Sequence, residues 1–365
     1  MPYSTPLALA LAATVVAVGA FASPAEAATA TAGVASVVST TKVQYKAAKG
    51  KQNRVVVTRS GHTVTIDDKV AVKAGKGCKA VKGDKTKVRC KTSKAPTRLR
   101  VYTYDRNDSV VNKTDLGMTA DGGTGNDKLT GGPRADTLWG DSGADKIYGL
   151  GGKDELVGHD GNDMLSGGDG DDWVQGEVGN DVVYGGNGND HFPEDEGHDK
   201  TYGGAGNDSV LMSQFKVGTD NDYFSGGPGD RDAISYILYT KGITADADGV
   251  KGDDGVKGEK DTIATDVEEI QGGEGNDRIY GTARADYLYG WGGNDHIYGY
   301  GGDDLVHGEA GQDRLYGGTG DDYVSGYDWS EPKGQDRLDG GANRTAEGDL
   351  CEAHGGDTKV GCERA

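Results

Sequence analysis

From Gly122 to Leu211 an apolar residue returns every ninth position and is followed by a glycine-rich polar stretch. The blocks run GGTGNDKLT, GGPRADTLW, GDSGADKIY, GLGGKDELV, GHDGNDMLS, GGDGDDWVQ, GEVGNDVVY, GGNGNDHFP, EDEGHDKTY and GGAGNDSVL. Position eight is Leu, Ile, Val or Phe in nine of the ten, Thr201 being the exception. Positions seven to nine read as a short strand with position eight inward and its neighbours outward. Gly at positions one and four supplies positive φ and close backbone approach in a tight turn; Glu194 breaks the first position and Arg134 the fourth. A second run, Gly272 to Ser325, adds six blocks with Arg284 as its one break at position four. Two turn-and-strand units make one coil of eighteen residues. The pattern therefore predicts an all-β chain of stacked coils joined by parallel strand pairing.

Outside these runs the pattern changes. Residues 28–117 alternate apolar and polar over Lys42–Ala47, Arg54–Arg59, His62–Asp67, Lys87–Lys91 and Arg98–Tyr104, which predicts a β module with a hairpin turn at Ser60-Gly61. Between the runs, Val217–Ser225 holds a ragged unit with Asp222 at position six and Phe224 at position eight. Asp230 and Asp232 crowd the next turn; further on, Glu268 falls in the position-six slot with Ile270 inward. Residues 212–271 thus read as irregular coils of one solenoid, with a linker as the alternative. Asp336 and Leu338 resume the pattern after a short insertion at Tyr327–Lys333. The chain divides into 1–27, a basic β module at 28–117, a first array at 118–211, irregular coils at 212–271, a second array at 272–339 and a C-terminal cap at 340–365.

Residues 1–27 have the look of an export signal. Leu7 to Phe21 is apolar and ends before Ala25-Glu26-Ala27, a small-x-small cleavage pattern. This predicts a secreted, extracellular protein, and no later stretch is apolar enough to span a membrane. Four cysteines permit three pairings; the economical choice is two local disulfides, Cys78–Cys90 and Cys351–Cys362, the second stapling a cap over the last coil. Zinc is the rival reading, without C-x-x-C spacing or convergent His to support it.

Composition sharpens the picture. With 64 Gly, 34% hydrophobic residues and a net charge of −20, the chain resembles a disordered polymer rather than a packed globule. The charge is also divided: 28–117 holds 20 Lys/Arg against 6 Asp/Glu, whereas 118–365 holds 19 against 52. A whole-chain nucleic-acid binder is excluded, and the basic module faces either an anionic partner or the acidic remainder of its own chain.

The acidic excess has an address, because position six is Asp in all sixteen blocks. The residues are Asp127, Asp136, Asp145, Asp154, Asp163, Asp172, Asp181, Asp190, Asp199 and Asp208, then Asp277, Asp286, Asp295, Asp304, Asp313 and Asp322, with Asp222 between the runs. An eighteen-residue coil stacks Asp127 over Asp145 and Asp136 over Asp154. Carboxylates about 4.8 Å apart repel by roughly 3–4 kcal/mol at an effective dielectric of 20. A cation between them removes that penalty, and hard oxygen donors favour Ca²⁺ over the stricter octahedron of Mg²⁺. One inward apolar residue in nine is too little to order the backbone, so the array is expected to fold only on binding metal.

The block pattern GGxGxDxUx is similar to the RTX, or hemolysin-type calcium-binding, repeat, a signature known to mark Ca²⁺-binding β-helices. The resemblance covers roughly 122–211 and 272–325 and implies a right-handed parallel β-roll with Ca²⁺ between successive turns on each side. It carries the ligand role onto the position-six aspartates and implies about twelve ions, the sites beside Arg134, Glu194 and Arg284 departing from the pattern. The whole chain also resembles secreted calcium-binding proteins of actinobacteria. Toxin-type export does not carry over, since that relies on a C-terminal signal.

Apparent catalytic motifs are products of the repeat: Gly140-Asp141-Ser142-Gly143 is positions one to four of a nonapeptide. No enzyme is predicted. The expected role is calcium binding with a structural or surface-interaction purpose. The alternatives are a polysaccharide-binding protein of the cell wall or extracellular space and, further off, a lyase or epimerase bearing an accessory roll. Tyr280, Tyr298 and Tyr316, eighteen residues apart at position nine, form an outward ladder that either binds a glycan or protein or stacks on itself. Oligomeric state is not legible in the sequence.

Overall fold

In the computed structural model, residues 32–194, 196–213, 221–327, 334–343, 348–353 and 356–363 are described. The export-signal reading at 1–27 and most of the insertion at Tyr327–Lys333 lie outside them. Among the described residues every regular element is a strand, and the strands form sheets of 16, 12 and 7 members.

Successive nonapeptides feed opposite walls of the solenoid. Thr137–Ser142, Glu155–Asp160 and Trp173–Val178 are neighbours in the 16-stranded sheet, while Lys146–Gly151, Met164–Asp169 and Val182–Asn187 are neighbours in the 12-stranded sheet. Pairing is parallel at an eighteen-residue offset, with Leu138 beside Leu156 and Ile147 beside Leu165. Position eight is inward throughout: Leu129, Leu138, Ile147, Leu156 and Leu165, then Ile279 to Leu315, are fully buried, alternating between the two walls. Each coil thus buries two apolar side chains, and stacking joins them into a continuous narrow core.

The 16-stranded sheet runs through the irregular stretch. Ser209–Leu211 pairs with Ala233–Ser235, which pairs with Glu269–Gln271 and then Tyr287–Tyr289. On the other wall the 12-stranded sheet ends at Thr262–Ile263, and the 7-stranded sheet takes over through Ile243–Asp246 and Arg278–Tyr280. Phe224 and Ile270 point inward, as their spacing from Asp222 and Glu268 predicts.

At the N-terminal end, Lys42–Lys46 and Arg98–Tyr102 stack in parallel beneath Gly117–Thr124, continuing the same sheet. Arg54–Ser60, Thr63–Asp67 and Asp84–Lys91 form an antiparallel meander, and Ser60 pairs with Thr63 across a two-residue turn containing left-handed Gly61. Cys78–Cys90 bridges this meander and Cys351–Cys362 ties the last strands. The module's ion pairs, Arg59–Asp115 and Lys87 with Asp67 and Asp84, are internal; among the described residues none joins it to the acidic arrays.

Candidate metal centre

Every position-six aspartate named above is buried, and they stand in three columns along the turns. Within a column each backbone N–H donates to Oδ1 of the aspartate one coil further on. Asp127 donates to Asp145 at 2.6 Å, Asp145 to Asp163 and Asp163 to Asp181 at 2.7 Å. Asp136, Asp154, Asp172 and Asp190 donate to Asp154, Asp172, Asp190 and Asp208 at 2.7–2.8 Å on the opposite edge. In the second array Asp277 and Asp295 donate to Asp295 and Asp313 at 2.8 Å, and Asp286 and Asp304 to Asp304 and Asp322 at 2.9 Å. One oxygen of each carboxylate therefore closes the turn below it. That duty is structural and explains an invariant Asp even before metal is considered.

The second oxygen is different. Oδ2 of Asp127, Asp145, Asp154, Asp163, Asp172, Asp181, Asp190, Asp208, Asp295, Asp304 and Asp322 is buried without a hydrogen-bond partner. Position-one glycine makes the cradle: a Cβ on Gly122 would overlap Asp127 Oδ2 and stand 3.0 Å from the Gly140 carbonyl oxygen of the next coil. Position-four glycines stack as closely. Gly143 and Gly161 are left-handed, at φ +138° and +149°, and a Cβ on them would overlap the carbonyl oxygens of Gly125 and Gly143. Burial pushes the carboxyls of Asp127, Asp163 and Asp304 up to about 7 and that of Asp295 to about 8, neighbouring aspartates adding to the rise.

Buried, unpartnered carboxylate oxygens beside converging carbonyls are costly unless something positive joins them. The donor set is all oxygen, which suits Ca²⁺. The carboxylates just named, whose Oδ2 has no donor, and the glycine-turn carbonyls are the groups that would hold it.

The ladder also enlists residues that a strict nine-residue count misses. Asp208 donates to Asp232 at 2.8 Å, Asp222 to Asp261 at 3.0 Å, Asp313 to Asp336 at 2.8 Å and Asp322 to Asp349 at 2.8 Å. At the N-terminal end Asn53 donates to Asp108, which donates to Asp127, both at 2.6 Å. A local signal does exist: Asp-x-apolar recurs at Asp108-Ser109-Val110, Asp232-Ala233-Ile234, Asp261-Thr262-Ile263 and Asp349-Leu350-Cys351.

The Glu194 block departs in a paired way. Its carboxylate is buried and accepts the hydroxyl hydrogen bond of Thr201, the one polar residue at position eight. Burial and the nearby Glu194 push the Asp199 carboxyl up to about 9. The tyrosine ladder stacks on itself: Tyr298 lies 5.3 Å from Tyr280 and 4.7 Å from Tyr316, with ring planes within 11° and 2° of parallel.

The RTX calcium-binding nonapeptide repeat (4 copies) matches residues 121–156, 157–192, 195–210, 271–306 and 298–328. No curated protein gives a significant match to the chain.

Proposed function

We propose that this chain, which carries RTX calcium-binding nonapeptide repeats across residues 121–328, is a secreted protein that Ca²⁺ folds into a rigid β-roll serving a structural or surface-interaction role. The supporting observation is the column of buried aspartates, each with one oxygen committed to a backbone amide and most with the other unpartnered. Such a stack repels itself until cations enter, so the binding energy of the metal becomes folding energy. Two disulfides and the apolar leader at Leu7 to Phe21 fit an oxidising, extracellular setting, where calcium is abundant enough for weak sites. The reading is non-enzymatic.

The test is far-UV circular dichroism during Ca²⁺ titration of chelated protein. Strand signal is expected to rise cooperatively with calcium; full signal in chelator would overturn the folding role. A second reading, polysaccharide recognition, rests on the exposed Trp173 at a shallow surface depression that Arg98, Lys153 and Glu155 also line. Glycan pull-down with and without Ca²⁺ separates the two, and Trp173→Ala should abolish any capture that depends on this depression.

A further inference from the structure

The position-six aspartates sit in two kinds of turn. In the first kind position two is left-handed, with φ of +91° at Gly123, +69° at Asp141, +77° at Leu150 and +69° at Trp291 and Tyr300. The aspartate four residues later then keeps Oδ2 unpartnered, as at Asp127, Asp145, Asp154, Asp295 and Asp304. In the second kind position two is outside the left-handed set and its N–H turns inward. Gly132 donates to Asp136 Oδ2 at 2.6 Å, Gly273 to Asp277 Oδ2 at 2.7 Å, and Thr282 to Asp286 Oδ2. These three turns satisfy their own carboxylates.

Inverting φ swings the peptide plane, and with it the N–H, away from the carboxylate. For a residue with a side chain this costs about 1–2 kcal/mol. Leu150 and Trp291 are exposed, so burial does not compensate them. Retained backbone strain that strips a buried carboxylate of its only local donor marks a site built for another partner. Arg134 and Arg284, at position four of two of the self-satisfied turns, replace the glycine that is left-handed at Gly125, Gly143, Gly293 and Gly302, and Gly275 in the third is not left-handed either.

The open class extends beyond the matched repeats. Asp232 is fully buried with Oδ2 unpartnered, and Gly227 beside it is left-handed at φ +101°. The Gly227 N–H points elsewhere, to Asp266 Oδ2 at 3.0 Å. Oδ1 of Asp232 accepts from Asp208, and its own N–H donates to Glu268 Oε2 at 3.0 Å, whose other oxygen pairs with Arg284.

We propose that the peptide orientation at position two decides which turns take calcium: Asp136, Asp277 and Asp286 offer no ligand through Oδ2, whereas Asp232 marks a further calcium site in the irregular coils. This rests on the calcium-binding reading above. Titration calorimetry counts the Ca²⁺ bound by the full chain, disulfides formed, in wild type and in D136N, D163N and D232N. Asn keeps an oxygen for the ladder amide, so each variant isolates the second oxygen. D163N and D232N should each lose one bound ion or weaken it at least tenfold, and D136N should keep the wild-type count. Loss in D136N equal to that in D163N, or full stoichiometry in D232N, overturns the proposal. Where a variant does not fold, anomalous diffraction from wild-type crystals carrying Tb³⁺ answers the same question: a peak is expected beside Asp232 and none on Oδ2 of Asp136, Asp277 or Asp286, and the reverse pattern overturns it. A wild type that binds no calcium overturns this proposal together with the reading beneath it.

Discussion

The backbone N–H of Asp145 donates to Oδ1 of Asp163, one coil away, at 2.7 Å, while Oδ2 of Asp163 is buried and unpartnered. One side chain thus holds two coils together and buries a second oxygen that no donor reaches. The two duties can be separated by substitution. Asp163→Ala strands the Asp145 amide, whereas Asp163→Asn retains an acceptor. In saturating Ca²⁺, urea unfolding should show the Ala variant about 1–3 kcal/mol less stable than the Asn variant. Coincident midpoints would remove the structural duty.

The raised carboxyls set a pH dependence for the metal-free chain. Asp163 and Asp304 stand at about 7 and Asp295 at about 8, raised chiefly by burial, against an unfolded value near ~3.9. The folded form therefore binds more protons. Its contribution is fully present below the unfolded value and is lost as pH rises through about 7–8. In chelator, strand signal should grow as pH falls from 8 to 5. In calcium the trend reverses, since ligand carboxylates must be ionised. A flat circular dichroism signal in chelator across that window would contradict the assignment.

Leu150 is left-handed and 52% exposed. Leu150→Gly relieves the backbone at little packing loss and should raise stability by about 1 kcal/mol in calcium. A lower thermal midpoint would show that the leucine has a contact worth more than its strain.

Gly140 has no room for a side chain: a Cβ would overlap Asp145 Oδ2 and stand 2.8 Å from the Gly158 carbonyl oxygen. Gly140→Ala should cost about 1–3 kcal/mol and weaken calcium binding together with it, because the cradle and the slot are the same space. Unchanged affinity with lowered stability would separate them.

Cys351 is fully buried in Leu350–Glu352, the end strand of the 16-stranded sheet, and its bridge to Cys362 closes a sequence separation of 11. Replacing both cysteines by Ala should remove about 2–3 kcal/mol locally. Hydrogen exchange should report it first in Arg337–Asn343 and Leu350–Glu352, leaving the first array protected. Uniform loss of protection would mean the cap governs the whole roll.

The coil was legible because it is local. Nine residues contain a turn and one inward strand position, and Asp127 to Asp322 recur with Leu129 to Val324 two residues behind them. That spacing alone predicts which side chains are buried, which carboxylates align and what kind of ion suits them. Asp108, Asp232, Asp261 and Asp349 were hidden because intervals of 19, 24, 39 and 27 residues separate ladder partners where a coil bulges.

Sequence by itself therefore determined the period, the inward file, the acidic columns and the oxygen chemistry, all properties of a single repeat and its neighbour in the chain. Tertiary structure decided how each carboxylate divides its oxygens and which peptides flip at position two. Asp141, Leu150 and Trp291 share left-handed geometry with no common side chain, while Thr282 and Gly273 lack it. A Cβ on Gly132 would meet Asn112 and Thr114, and one on Gly273 the carbonyls of Tyr236 and Tyr239, irregular neighbours that the nine-residue period does not place.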